Sequence, residues 1–185
     1  MDKIVLTYSL KNAPDRSLIK KLYMEAFPKE ERIPWLFLQV LPVLTGTRLT
    51  AYYDGELFCG FTYSAAFENT LLVLFLAVEV GLRGKGYGSK ILEHLKQSDP
   101  NRTILLNVEL LDPQADNYSQ RLQRMAFYQK NGFYDTGYDI DEVGGTFRVL
   151  ATTPEPDMDA YLRVFAHISF GFWKPPIRKI TEKKV

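Results

Sequence analysis

The sequence is short of cysteine, of histidine, of net charge and of any long apolar run. Cys59 is the one cysteine, so no disulfide can form within the chain, and this fits a reducing, cytoplasmic setting. It lies between Phe58 and Gly60 in a strand-like stretch and reads as a small buried hydrophobe rather than a nucleophile. His94 and His167 fall on predicted helices and read as surface or packing residues. No Cys/His cluster has zinc spacing, so no metal is expected. A formal net charge of +1 gives no bulk attraction to nucleic acid or to a membrane surface. The opening MDKIVLTYSL lacks the long apolar segment of a secretory leader. The eight apolar residues from Leu71 to Val78 are too few to span a bilayer.

What is present is an ordinary globular composition. Of 185 residues, 46% are apolar and 24% charged, enough for a full core. A single domain is expected over residues 1–173, followed by a basic tail over 174–185 expected to be loosely held, with Trp173, Ile177 and Ile180 as the residues able to dock. No internal repeat, low-complexity segment or linker divides the chain.

The chain is organised around the stretch from Leu71 to Gln97. It runs from the apolar segment through GLRGKGYG into SKILEHLKQ. An unbroken apolar run of this length reads as a strand buried on both faces. Ile91, Leu92 and Leu95 have helical spacing. Between them stand Gly84, Gly86 and Gly88, alternating with Lys85 and Tyr87. Glycines let a backbone curl tightly and approach a ligand. The first turn of a helix carries N–H groups without internal partners and the positive end of the helix dipole. A strand that stops at such a turn and restarts as a helix therefore makes an anion site suited to phosphate. Arg83 and Lys85 add cations and Ser89 a hydroxyl. The spacing matches neither the nucleotide P-loop nor G-x-G-x-x-G, but it does match R-x-x-G-x-G, met by Arg83, Gly86 and Gly88.

In chain order, Lys3 to Leu10 reads as a strand. A helix follows from Asn12 or Asp15 with Leu18, Ile19, Leu22 and Ala26 on its apolar face. A second helix starts at Pro34, contains Trp35, Leu36, Leu38 and Leu41, and is expected to close at Pro42 and Gly46. Lys29 to Arg32 between them is a short charged cluster. Strands at 47–53 and 56–64 flank a hairpin turn at Asp54-Gly55. Thr103 to Leu110 is another strand, with Glu109 near its C-terminal end, where α/β sheets place ligand sites. Ser119 to Lys130 reads as a helix with Leu122, Met125, Ala126 and Phe127 on its apolar side, stopped by Asn131-Gly132. Strands at 133–140 and 146–152 precede a last helix capped by Asp157, with Tyr161, Leu162, Phe165 and Ile168 on one side.

The run from Phe127 to Phe133, F-Y-x-K-x-G-F, gives a second motif. Together with R-x-x-G-x-G after an apolar strand, and in this order, it resembles the GCN5-related N-acetyltransferase (GNAT) family. The likeness covers residues 47–151 well and the first 46 only in outline. It implies an α/β fold with a mixed, mostly antiparallel central sheet flanked by helices, and a coenzyme A site in the glycine-rich strand–loop–helix. It also implies direct transfer of an acetyl group from acetyl-CoA to a primary amine, with no covalent enzyme intermediate. By resemblance the backbone of Val78 and Val80 binds the pantetheine arm, and Arg83, Gly84, Lys85, Gly86, Tyr87, Gly88 and Ser89 take the pyrophosphate. Many relatives have proline where this chain has Val80.

Tyr128 is the candidate that assists the departing thiolate. The residue that takes the amine proton is open among Glu109, Glu79 and a carboxylate acting through water, with Glu109 preferred because it ends a strand beside the expected thioester. The acceptor, a small molecule or a peptide amine, would lie near Glu30, Glu31, Trp35, Tyr138 and Asp139. No nucleic acid or membrane partner is expected, and a homodimer is the assembly to test. A coenzyme A-binding module without catalysis is the rival reading.

Overall fold

The computed structural model describes residues 6–7 and 13–180. The cap at Asn12 and residues 181–185 of the tail lie outside them, as does most of the first strand expected over 3–10. The contacts divide into two compact units, one formed by the chain up to Ala65 with Val73–Pro100, the other by Ala66–Leu72 with the chain from Asn101. Among the described residues no helix is long and apolar enough to cross a membrane.

The first unit holds β1 (Leu6–Thr7), α1 (Ala13–Ala26), α2 (Trp35–Thr45), β2 (Arg48–Asp54), most of β3 (Leu57–Phe67) and β4 (Thr70–Val78), and α3 (Tyr87–Ser98). Its strands lie in the order β1-β2-β3-β4. β1 and β2 pair antiparallel, as do β2 and β3. The β2–β3 turn is Gly55-Glu56 rather than Asp54-Gly55, because Asp54 still pairs with Leu57 and Gly55 supplies the positive φ of +61°. A register shift then pairs Tyr52 with Gly60 and Tyr53 with Phe58, leaving Cys59 as the extra residue of a bulge.

The core of this unit is aromatic. Tyr23 of α1 and Phe75 of β4 meet edge-on with centroids 5.0 Å apart, and Phe27 meets Phe75 at 4.9 Å. Ile19, Leu22 and Tyr23 are the buried face of α1, whereas Leu18 is exposed. Tyr23 displaces it because its hydroxyl can donate to the Ile33 carbonyl at 3.1 Å while its ring stays inside. Pro42 does not close α2. The helix runs on to Thr45, whose hydroxyl donates to the Leu41 carbonyl at 2.8 Å, and Gly46 in the left-handed conformation ends it. The cluster after α1 forms a short 3-10 turn, Lys29–Glu31.

The second unit holds β5 (Thr103–Glu109), α4 (Tyr118–Lys130), β6 (Tyr134–Glu142), β7 (Gly145–Ala151), α5 (Met158–Ile168) and β8 (Ile177–Lys179). Its strands lie in the order β5-β7-β6-β8, each pair antiparallel. The expected α/β class with mostly antiparallel strands and helices therefore holds. Asp157 caps α5, accepting from the Ala160 N–H at 2.9 Å. Two expectations fail here. On α4, Leu122 and Ala126 are exposed and Tyr128 is the buried residue. The tail is not loose over 177–179. Those residues add β8 to β6, Ile177 opposite Ile140, while Arg178 pairs with Asp141 at 2.9 Å.

Gly60 lets β3 approach β4 closely. A Cβ there would meet the Ala77 carbonyl oxygen at 2.2 Å and the Val78 Cα at 3.1 Å. Both are backbone atoms, so one strand would have to move. Gly60→Ala is expected to lower the urea midpoint by a stability loss of about 1–3 kcal/mol, the usual cost of overpacking. An unchanged midpoint would mean that β3 can draw back from β4 freely.

Candidate active site

The donor side of the site follows from how β4 ends. The Glu79 N–H donates to the Cys59 carbonyl at 2.9 Å, so β3 holds β4 one residue past its last strand position. A 3-10 turn follows at Val80–Leu82. Gly84 and Gly86 then take φ of +74° and +89°. No side chain or backbone crowds either position, so conformation, not clearance, is what requires glycine there. Gly86 is the N-terminal cap residue of α3, and the first helical bond runs from the Lys90 N–H to the Gly86 carbonyl at 3.2 Å. The N–H groups of Tyr87, Gly88 and Ser89 precede that bond and have no partner within the helix.

Arg83 and Lys85 are exposed beside them. Arg83 Nε donates to the Val78 carbonyl at 3.2 Å, which keeps the guanidinium against the loop. Val80 is exposed at the start of the turn, and Ser89 is half-buried on the first turn of α3. Unpartnered N–H groups, left-handed glycines and two cations in one stretch fit a pyrophosphate. Tyr87 differs from its neighbours. Its ring is buried and its hydroxyl donates to Asp54 Oδ2 at 2.9 Å, so only its N–H faces the anion site.

In the second unit, α4 carries Asn117, Arg121, Arg124 and Tyr128 at spacings of four, three and four, which is one helix face. Asn117, just before the helix, donates from Nδ2 to Glu109 Oε1 at 3.0 Å and accepts from Arg121 Nε at 2.7 Å. Arg121 approaches the same carboxylate oxygen at 3.4 Å, and Arg124 pairs with Glu109 Oε2. Both oxygens of Glu109 are thus engaged. The spacing along α4 was the available signal for these partners, and the sequence reading missed it.

Tyr128 lies one turn beyond Arg124. Its ring packs edge-on against Phe127 at 5.1 Å and Phe133 at 5.7 Å. Gly132, at φ +76°, ends the helix and turns the chain so that the Phe133 N–H donates to the Tyr128 carbonyl at 3.1 Å. That return explains the glycine and the second phenylalanine of the motif. The Tyr128 hydroxyl has no hydrogen-bond partner among the described residues and is not sealed from solvent. Burial pushes the phenol up to about 12, against a smaller lowering by the Arg124 charge.

The residues expected near the acceptor divide between the units. Glu30 and Glu31 belong to the 3-10 turn after α1, and Trp35 packs on Tyr23 with centroids 6.2 Å apart. In the second unit, Asp139 accepts from Arg148 Nε at 2.8 Å, and Lys179 Nζ stands 5.8 Å from the Tyr138 ring centroid. Asp139 thus shares the Arg148 guanidinium with Asp135, which Arg148 Nη1 meets at 2.6 Å.

A family model for the acetyltransferase (GNAT) domain matches residues 45–135. That stretch is a GNAT acetyltransferase domain by this match. No curated protein sequence matches it. Among solved structures, a GNAT-family acetyltransferase from Bacteroides thetaiotaomicron superposes with a TM-score of 0.71 at 24% identity, over 90% of this chain and 99% of that one. An aminoglycoside 6'-N-acetyltransferase complexed with coenzyme A gives 0.62 at 19% identity, covering 83% and 99%. The ribosomal-protein-S18-alanine N-acetyltransferase from Escherichia coli gives 0.59 at 16%, covering 83% and 96%. At these identities the likeness is one of fold.

The raised phenol of Tyr128 has a consequence for alkaline stability. Its folded value of about 12 lies above the unfolded 10.0, so its contribution is complete below pH 10 and is lost as pH rises through 12. Tyr128→Phe removes that loss. Urea midpoints measured from pH 8 to pH 12 should show the wild type weakening relative to the variant only above pH 10. A constant difference across the window would mean that the hydroxyl is not desolvated.

Proposed function

We propose that the protein is an acetyl-CoA-dependent N-acetyltransferase that moves the acetyl group directly from the thioester to a primary amine. The observation that carries this is the row of unpartnered N–H groups at Tyr87, Gly88 and Ser89, behind left-handed Gly84 and Gly86, within the residues matched by the family. Those N–H groups, with Arg83 and Lys85, hold the pyrophosphate of the donor. The backbone of Val78 and Val80 lines up its pantetheine arm.

The amine nitrogen attacks the thioester carbonyl, the C–S bond breaks, the nitrogen gives up a proton to a carboxylate, and the sulfur leaves as the coenzyme A thiolate. Tyr128 serves the sulfur. A phenol near 12 is a far weaker acid than a thiol near 8.5, so Tyr128 donates a hydrogen bond to the departing thiolate and keeps its own proton. For the nitrogen, we assign the proton to Glu79 rather than to Glu109. Glu79 directly follows Val78 and has no partner among the described residues, whereas Glu109 is clamped by two guanidinium groups and an amide. Glu109 instead fixes the start of α4 and with it Tyr128. The acceptor is an amine on a small molecule or a peptide. Of the related structures above, the aminoglycoside 6'-N-acetyltransferase is named for a small-molecule acceptor and the ribosomal-protein-S18-alanine N-acetyltransferase for a protein one.

Thiol release from acetyl-CoA against a panel of amines tests the activity. Tyr128→Phe preserves the ring and should lower turnover at least ~10-fold with little change in the Michaelis constant, since it removes an interaction made in the transition state. Turnover at the wild-type rate would reduce Tyr128 to a packing residue. At Gly86 a Cβ meets no atom within 4 Å and the left-handed backbone costs an L-residue roughly 1–2 kcal/mol, so in Gly86→Asp the fold should persist while the added carboxylate abolishes acetyl-CoA binding. Binding without thiol release by any amine would favour the non-catalytic module.

A further inference from the structure

The structure assigns to Tyr87 and Asp54 a positioning role: their hydrogen bond is a strut that aims the first turn of α3 at the donor pyrophosphate. This rests on the reading of the loop given above. The two residues are 33 positions apart, Tyr87 opening α3 and Asp54 closing β2. The Tyr87 ring is 9% exposed, and its hydroxyl donates to Asp54 Oδ2 at 2.9 Å.

The need for a strut is visible in what precedes it. Arg83, Gly84, Lys85 and Gly86 are all exposed. The turn bonds that shape them are long, 3.3 Å from the Arg83 N–H to Val80 and 3.3 Å from the Lys85 N–H to Leu82. Two of the four residues are glycines at positive φ, which have the widest conformational choice of any residue. Left alone, this segment would let the N–H groups at 87–89 point in many directions, and ordering them on binding would cost affinity.

Tyr87 is the first residue after the loop with a buried side chain. Its ring locates α3, and its hydroxyl fixes the rotation of that first turn against the end of β2. Asp54 is itself held in the ladder by pairing with Leu6 and Leu57. The carboxylate beside the phenol also raises the tyrosine, as expected of a donor bound to an anion.

The test separates a strut from a ligand contact and from mere packing. Acetyl-CoA affinity is measured by calorimetry for wild type, Y87F, D54A, D54N and Y87F/D54A. Y87F and D54A should each weaken binding about 10-fold, the low end for loss of a hydrogen bond to a charged group. The double variant should be no worse than either alone, since both remove one bond. D54N keeps an acceptor oxygen and should recover most of what D54A loses. In turnover, the loss should fall on KM for acetyl-CoA rather than on kcat. Amide exchange at 87–89 in the unliganded protein should quicken in Y87F and D54A.

Three outcomes overturn the strut. Affinity may be lost in Y87F but kept in D54A, which makes the hydroxyl a ligand contact. Melting temperature may fall with affinity unchanged, which makes the pair structural only. Exchange at 87–89 may be unaltered. If the wild type binds no acetyl-CoA, the reading of the loop falls, and the exchange measurement alone still decides whether the strut exists.

Discussion

The left-handed backbone at Gly84 and Gly86 is the constraint on which the donor site depends. It brings the chain from the 3-10 turn after β4 to the first turn of α3 through Arg83, Gly84, Lys85 and Gly86, so that α3 begins with its N–H groups uncovered. An L-residue in that conformation costs roughly 1–2 kcal/mol. Open space surrounds both glycines, so that cost would come from the backbone alone. Gly60 is the opposite case. There the neighbouring strand leaves no room for a Cβ, and clearance is the reason for glycine. One residue type thus serves two needs, in the loop to turn and in β3 to let β4 come close.

The second unit solves a different problem, how to bury a tyrosine ring and leave its hydroxyl usable. Phe127 and Phe133 cover the ring, and the left-handed Gly132 is what brings Phe133 back over it. The price is a phenol that ionises only near 12. For a hydrogen-bond donor this is useful, because it keeps the proton at any working pH. Arg124 ties the two ends of this arrangement together, paired to Glu109 on one side and acting on Tyr128 on the other.

Much of this was legible in the sequence where the cause is local. The apolar run of β4, the glycine turn, the start of α3 and the Asp157 cap each depend on a few adjacent residues, and each was read correctly. α4 was misread because its apolar residues were counted as its buried face. Its ordering face is instead polar, Asn117, Arg121 and Arg124 reaching for Glu109, and it takes in Tyr128 while leaving Leu122 outside. Pro42 was read as a stop, but α2 runs on for three residues to Thr45, whose hydroxyl bonds back to Leu41. β8 is three residues long and is held by its partner strand; Ile177 marks the tail as able to dock, but three residues carry no strand pattern of their own. The bond between Tyr87 and Asp54 spans 33 positions and leaves no periodic trace at all.

The clamp on Glu109 bears on how the chemistry is divided. Glu109 accepts from the Asn117 amide and the Arg124 guanidinium and lies 3.4 Å from Arg121, so its carboxylate anchors the start of α4. In the direct transfer proposed above, the nitrogen must lose a proton and the sulfur must leave as a stabilised thiolate. An alkylamine is only about 0.1% neutral near pH 7, so help at the nitrogen is worth up to a thousandfold. A hydrogen bond at the sulfur cannot supply that, because it acts on the other bond. On the proposal above the two tasks fall to different residues, a hydrogen bond from Tyr128 at the sulfur and a carboxylate at the nitrogen, the Glu79 carboxylate having no partner among the described residues while Glu109 is engaged by Asn117, Arg121 and Arg124.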